Sequence, residues 1–412
     1  MPPIIFRKGL DMKEAVAADL SAAYHSALIE EIRTNDYARK SGRLTIHLAR
    51  EFGFCYGVDR AVDYAYQTRK RFPDKQVFLT GEIIHNPHVN DQLRAKGIRI
   101  LTDAAEHQTT LGPDDVVILP AFGVAVGELA RLQRQGCTLV DTTCGSVLNV
   151  WKNVRRYAQD GFTAVIHGKV HHEETRATAS QATDYPDGHF LIVRDHAEAR
   201  LACDYIRHGG DSAAFVAHFG DALSTGFDPA RHLERVGCAN QTTMLMSESL
   251  EIGEMFRKAM LERHGEDALA ARFRAFDTIC SATQERQDAV EALLDAEPLT
   301  LAVVIGGYNS SNTCNLARIC ADRVTTFHIA DPTCLVSATQ IRHRPIGLPS
   351  TSSVDELVSS DWLPAGALVI GLTAGASTPN NIVGQVIERL DVLANETTVP
   401  VNVGPNSGVN PT

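Results

Sequence analysis

The chain has 412 residues, 44% of them hydrophobic, and a formal net charge of -11. That length and apolar content allow two or three packed domains and exclude disorder for most of the chain. The acidic balance, with no basic patch interleaved with aromatics, argues against a nucleic-acid partner.

Residues 1–16 already carry Arg7, Lys8, Asp11, Lys13 and Glu14, so they lack the apolar stretch of a signal peptide and no export is expected. Val16, Leu20, Tyr24, Leu28 and Ile32 recur at every fourth residue, which predicts one amphipathic packing helix over 13–33 within an N-terminal extension, 1–43. From there apolar strands at 44–48, 76–79, 116–119, 138–140, 164–166, 190–193, 301–305 and 368–372 alternate with helical patterns. That alternation predicts an α/β protein with mainly parallel sheets. The most apolar stretch, 116–127, is broken by Pro120 and Gly123 and falls short of the ~20 residues of a membrane helix, so no membrane partner is expected. Residues 201–237, with Gly209-Gly210 and Phe227-Asp228-Pro229, are less regular and read as an insertion. The last residues, 395–412, are rich in Asn, Pro, Gly and Thr and are expected to be a mobile tail.

Three cysteines recur at the same kind of place. Gly53-Phe54-Cys55-Tyr56-Gly57-Val58 follows one strand and opens the helical pattern of Val58, Val62, Ala65 and Tyr66. Asp141-Thr142-Thr143-Cys144 ends another strand, and Phe276-Asp277-Thr278-Ile279-Cys280 leads into Ser281-Ala282-Thr283-Gln284, which has capping-box spacing. A cysteine is commonly core filler. The threefold recurrence points instead to a shared metal centre, since helix N-termini bias thiols toward the thiolates that metals require. Boundaries at these cysteines divide the chain into three similar lobes, 44–143, 144–279 and 280–394. The odd total of nine widely spaced cysteines suits reduced thiols or metal ligands in a cytoplasm better than disulfides.

Other polar stretches lie at strand ends. His167-Gly168-Lys169-Val170-His171-His172-Glu173-Glu174-Thr175 gathers groups able to deliver protons or bind metal, without the spacing of a His-Glu-x-x-His zinc site. Ile305-Gly306-Gly307-Tyr308-Asn309-Ser310-Ser311-Asn312 and Thr373-Ala374-Gly375-Ala376-Ser377-Thr378-Pro379 offer small residues, hydroxyls and helix N-termini to an anion, with Thr378 as cap and Pro379 as first helical residue. Neither contains a lysine, and each alone reads as simple capping. Asn240-Gln241-Thr242-Thr243 and the histidine of Ile84-His85-Asn86-Pro87 have equally plain readings as a cap and a turn.

Together these stretches, in this order between about residues 44 and 390, resemble the 4-hydroxy-3-methylbut-2-enyl diphosphate reductase (IspH/LytB) family, in its longer plant and cyanobacterial branch. The resemblance implies three α/β lobes around one [4Fe-4S] cluster held by Cys55, Cys144 and Cys280, with Glu174 as proton donor and Thr242 near the substrate hydroxyl. It further implies a diphosphate cradle of His85, His172, Ser310, Ser311, Asn312 and Ser377, and an electron donor such as ferredoxin or flavodoxin. Two positions depart from the pattern. Phe122 replaces a histidine of the short form and removes one diphosphate contact, and Gly145-Ser146 follows Cys144 where proline and a bulky residue are expected. Rival readings are a zinc hydrolase using the three cysteines and His172, and a non-catalytic iron-sulfur redox sensor.

Overall fold

The computed structural model describes residues 4–106, 109–276, 278–348 and 356–396. The chain opens with β1 (Ile5–Phe6), α1 (Lys13–Tyr24), α2 (Ala27–Thr34), β2 (Ala38–Ser41) and β3 (Leu44–Leu48). It continues through α3 (Tyr56–Arg71), β4 (Val77–Leu79), α4 (Pro87–Ala95), β5 (Ile98–Ile100), β6 (Val116–Leu119), α5 (Val126–Arg134) and β7 (Thr138–Asp141). Next come α6 (Gly145–Gln159), β8 (Thr163–His167), α7 (Glu173–Ala182), β9 (Phe190–Val193), α8 (His196–His208), α9 (Ser212–Phe219), α10 (Pro229–His232), β10 (Val236–Asn240), α11 (Met246–His264), α12 (Glu266–Arg272) and β11 (Phe273–Ala275). The last part holds α13 (Ser281–Ala296), β12 (Leu301–Ile305), α14 (Ser311–Ala321), β13 (Thr326–Ile329), β14 (Gln340–His343), β15 (Leu357–Ser360), β16 (Leu368–Ala374) and α15 (Asn380–Asn395).

The strands form three mainly parallel sheets, in the orders β1-β7-β6-β4-β5, β11-β10-β8-β9 and β13-β12-β16-β3-β2, plus the antiparallel β14-β15 hairpin. Parallel strands need crossover connections, and the helices supply them while covering the sheets. The only antiparallel edge of the three sheets among the described residues is β2 on β3. Each sheet has its own core. Val77, Leu79, Val116, Ile118 and Val140 pack with α3 in the first, Ala164, Ile166 and Val236 pack with α6 in the second, and Leu301, Val303 and Ile370 pack with α15 in the third.

Several expectations need correction. The single helix over 13–33 is two, because Ser26 takes an extended conformation and its hydroxyl caps α2 by accepting the Ile29 N–H. The N-terminal extension is not only helical: β1 adds an edge to the first sheet beside β7, and β2 adds one to the third beside β3. Strand β3, expected to begin the first lobe at residue 44, lies inside the third sheet, where Leu44 and Ile46 pair in register with Leu368 and Ile370 of β16. Its alternating burial fits any half-buried strand, so only the tertiary partner decides which sheet receives it. Residues 201–237, read as an insertion, are built into the second unit. Ala202, Cys203, Ile206, Phe215, Phe219, Phe227 and Leu233 all enter the core of the second unit. The stretch expected to be a mobile tail lies, beyond Glu396, outside the described residues.

The three cysteines mark crossings between these units. At Cys55 the chain passes from β3 of the third sheet to α3, whose Val58, Ala61, Val62 and Ala65 pack in the first core. At Cys144 it leaves β7 of the first sheet for α6, whose Val150, Val154 and Tyr157 pack in the second. At Cys280 it leaves the second sheet after β11 for α13, whose Val290 packs with Ala302, Val304 and Leu316 beside the third. The thiols thus stand where units meet.

The second crossing depends on Tyr157, whose ring covers Gly237 of β10 and whose hydroxyl donates to the Cys238 carbonyl at 2.8 Å. A Cβ at Gly237 would come within 2.6 Å of that ring. Gly237→Ala should therefore lower the unfolding free energy by about 1 to 3 kcal/mol, read from the urea midpoint; an unchanged midpoint would show that α6 does not seat on β10 in this way.

Candidate active site

Cys55, Cys144 and Cys280 occupy the N-cap positions of α3, α6 and α13 in extended backbone, and none of their side chains caps its helix. Cys280, not Ser281, is thus the capping residue of α13. Each cysteine N–H is held by a loop carrying another candidate residue. Cys55 donates to Ala376 O at 3.2 Å beside Ser377, Cys144 to Ala121 O at 2.9 Å beside Phe122, and Cys280 to Thr242 O at 3.3 Å. A Cβ at Gly57 would lie 2.6 Å from Cys144 Sγ and 4.0 Å from Cys55 Sγ, so glycine is what lets these sulfurs converge.

Helix ends do not make the Cys55 and Cys280 thiols acidic, contrary to the expectation from position. Burial pushes the Cys55 thiol up, outweighing the N–H groups of Val58 and Gly57 and the charge of Arg286, which pull it down. Cys280 is pushed up to about 11 by burial, against a lowering hydrogen bond from Thr283, with Cys55 and Glu174 adding to the rise. Thiols of this kind ionise on meeting a metal. Among the described residues, the three-residue group of His, Cys, Asp or Glu whose ligand atoms lie within 4.8 Å of one another is His85, His172 and Glu173, and the three cysteines do not form such a group. A single zinc ion, with thiolates at about 2.3 Å, needs them that close. A cluster that carries its ligands on separate irons does not.

Glu174 and Thr242 are together. The buried Glu174 carboxyl accepts the Thr242 N–H at 2.6 Å, and the Thr242 carbonyl receives the Cys280 N–H, so the acid and the Cys280 backbone are joined through one residue. Burial raises the Glu174 carboxyl to about 7, against the lowering effect of its bonds to Thr242 and the charge of His85. A proton held near neutral pH in this way suits general-acid work.

The anion-site residues also meet. Ser310 caps α14, accepting the Thr313 N–H at 3.3 Å, and Ser311 Oγ accepts from Gln241 Nε2 at 3.2 Å. Asn312 Oδ1 takes the Ala376 N–H at 2.9 Å while its Nδ2 is buried without a partner. That spare donor fits an anion. Ser377 donates to His85 O at 3.1 Å, Asn86 donates to Ser377 O at 2.8 Å, and a Cβ at Gly307 would stand 2.4 Å from His85 O. Two loops of the third unit therefore clamp the His85 loop of the first. Thr378 does not cap α15; its hydroxyl bonds Ile305 O, and Pro379 takes the capping place.

His85 and His172 approach with their Nε2 atoms 3.1 Å apart. The His172 Nδ1 accepts the Glu174 N–H at 3.2 Å and caps α7, which places its ring hydrogen on Nε2 and leaves it no free lone pair for a cation. Burial, with the charges of His85 and Lys169, holds His172 well below its ordinary value. Phe122 is not a mere vacancy in the cradle, since its ring stacks on His85 at 4.5 Å.

Four contributors escaped the sequence reading. Gln241 is fully buried, accepting from Lys169 N and Thr175 Oγ1 and donating to Thr243 Oγ1 and Ser311 Oγ, so it ties the second unit to α14. Arg286, 3% exposed, donates to Gly53 O at 2.7 Å and spans the Cys280 and Cys55 loops. Arg60 donates to the carbonyls of Thr142 and Thr143 and steadies the Cys144 loop. Glu82 bonds His85 Nδ1 at 3.0 Å. For Arg286 a signal existed: Thr283, Arg286, Gln287 and Val290 have the spacing of one buried helix face.

Fold and site together describe an α/β protein that gathers three thiols, one buried acid and a polar cradle where its units meet. The family model described as LytB protein matches residues 46–391, and the chain belongs to that family. Its relatives include the 4-hydroxy-3-methylbut-2-enyl diphosphate reductase of Gloeobacter violaceus, 50% identical over 93% of this chain and 91% of that one. The reductase of the same name from Thermosynechococcus vestitus is 46% identical over 95% and 96%. The solved E-1-hydroxy-2-methyl-but-2-enyl-4-diphosphate reductase from Plasmodium falciparum, at 19% identity, shares the fold with a TM-score of 0.60 over 84% of this chain and 87% of that one.

The raised Glu174 value has a consequence for stability. Its folded value of about 7 lies above the ordinary 4.5, so its stabilising contribution is complete below about pH 4.5 and is lost as pH rises through about 7. Glu174→Gln carries no such penalty, so its unfolding free energy relative to wild type should improve by about 2 to 3 kcal/mol between pH 5 and pH 8. Urea titrations at both pH values measure this; a difference independent of pH would mean that Glu174 is solvated.

Proposed function

We propose that this chain removes the hydroxyl of 4-hydroxy-3-methylbut-2-enyl diphosphate reductively, giving isopentenyl and dimethylallyl diphosphate. The observation that supports this reading is the pair of bonds that links the buried Glu174 carboxyl through Thr242 to the Cys280 backbone, with Glu174 raised by burial to about 7. Family membership supports it.

Cys55, Cys144 and Cys280 would hold one [4Fe-4S] cluster, which supplies electrons and Lewis acidity when bound. The rest is done by side chains. Hydroxide is a poor leaving group, and the neutral Glu174 carboxyl can protonate it as it departs as water. Thr242, bonded to Glu174 by its N–H, sets the direction in which that carboxyl points. Ser310, Ser311, Asn312 and Ser377, with the first turn of α14, would take the diphosphate, joined by His85 and His172 from the facing units. The close approach of Gly307 to the His85 carbonyl and the bond from Gln241 to Ser311 hold the facing units together around this cradle. Electrons would come from a small carrier such as ferredoxin or flavodoxin. Among the described residues no helix is long and apolar enough to cross a membrane.

Anaerobic turnover of 4-hydroxy-3-methylbut-2-enyl diphosphate with a chemical reductant tests the reading, with product release of both isomers expected from wild type. Glu174→Gln should retain iron and bind substrate while kcat falls by about 10²-fold or more, and wild-type kcat should decline as pH rises through about 7, where Glu174 loses its proton. Near-normal turnover by Glu174→Gln would remove this residue from the proton route, and no turnover by iron-replete wild type would reject the activity.

A further inference from the structure

The hydrogens between His85 and His172 can be assigned from the neighbours of the two rings. His172 Nδ1 accepts the Glu174 N–H at 3.2 Å, so the hydrogen of this neutral ring is on Nε2. His85 Nδ1 faces Glu82 Oε2 at 3.0 Å, and a carboxylate can only accept, so the His85 hydrogen is on Nδ1. The two Nε2 atoms, 3.1 Å apart, then share one hydrogen, given by His172 to a lone pair on His85. Both Nε2 edges are used on each other.

A phosphate oxygen offers only lone pairs. Against the His172 Nε2–H it finds a donor, but against His85 Nε2 it meets another lone pair. His85 can become a donor there in two ways. Moving its hydrogen from Nδ1 to Nε2 would turn a lone pair toward the Glu82 carboxylate, whereas adding a proton at Nε2 keeps the Glu82 bond and creates a cation between two anions. The second is favoured by Glu82 and by the incoming ligand alike. The other groups facing this ring are Glu173, whose carboxylate is 3.6 Å from Nε2 and largely exposed, the Phe122 ring stacked on one side, and Glu174, which is near enough to interact with a charge placed on His85.

We infer that Glu82 is a positioning residue that fixes the His85 tautomer and makes binding of a diphosphate take up one proton from solvent, placed on His85 Nε2. This rests on the diphosphate reading of the cradle and deepens it. The sequence carries a trace of the device, since Glu82 and His85 are three residues apart in Glu82-Ile83-Ile84-His85.

The test is calorimetric titration of the iron-replete enzyme with inorganic pyrophosphate at pH 8, in buffers of different ionisation enthalpy, which counts protons exchanged on binding. Titration of the pyrophosphate itself is common to all variants, so differences between them carry the result. Glu82→Gln should take up at least about half a proton fewer than wild type and bind about tenfold more weakly, while Glu173→Gln keeps the wild-type count. His85→Asn, which leaves Glu82 in place, should lower the count as Glu82→Gln does and decides the matter if that variant does not fold. Equal proton counts in wild type, Glu82→Gln and His85→Asn, with measurable binding in each, would overturn the inference while leaving the diphosphate site intact. Absence of pyrophosphate binding by wild type would reject the site and the inference together.

Discussion

The candidate site depends on the three chain crossings that are made at a cysteine; a fourth, from α1 of the first unit to α2 of the third, has none. A strand of one sheet ends, the backbone turns in extended conformation at the thiol, and the following helix packs in the next unit: β3 to α3 at Cys55, β7 to α6 at Cys144, and β11 to α13 at Cys280. Because β3 lies in the third sheet, the crossings run third to first, first to second and second to third, closing a cycle. The hydrophobic cores on either side of each crossing fix where the thiols stand, and the candidate site is assembled from all three units rather than housed in one.

Burial sets the chemistry of that site more than helix ends do. The same loss of water raises the Cys55 and Cys280 thiols and the Glu174 carboxyl and lowers His172. Its effects diverge usefully: the acid keeps its proton near neutral pH, and the histidine stays uncharged at the cap of α7. What compensates is a set of buried hydrogen bonds, above all those of Gln241, which cross from the second unit to α14, and those of Asn312 to the Ala376 N–H and of Arg286 to Gly53 O. Removing one partner of such a bond leaves a buried polar group unpaired, which is why these residues matter although none carries the reaction.

The strand-cysteine-helix pattern was legible because it is local: an apolar run, a thiol and a 3.6-residue period lie within a few residues of one another. The sheet that receives β3 was not, since Leu44, Ile46 and Leu48 alternate as they would on any half-buried strand and their partners are more than 300 residues away at Leu368 to Leu372. Helix caps were misplaced by one residue at Cys280 and Pro379, where a hydroxyl beside the true cap gave the stronger local signal. The residues of the resemblance, Glu174 with Thr242 and His85 with His172, are brought together in space. Their supports leave only faint traces, the i, i+3 spacing of Glu82 and His85 and the buried helix face that holds Arg286, because Glu82, Gln241 and Arg286 act by orientation, and orientation is a property of the folded neighbourhood rather than of spacing. Phe122, read as a lost contact, acquires a stacking partner in His85 that only the fold supplies.

On the proposed function, the three crossing cysteines form one metal-binding site and the other six take no part in it. Iron and acid-labile sulfide analysis of anaerobically reconstituted protein, with serine placed in turn at Cys55, Cys144, Cys280 and at Cys137, Cys203, Cys238, Cys314, Cys320 and Cys334, tests it most directly. The first three variants should lose the cluster, and the other six should retain wild-type iron and sulfide. Full iron and sulfide in Cys144→Ser, or zinc without sulfide in the wild-type protein, would contradict it.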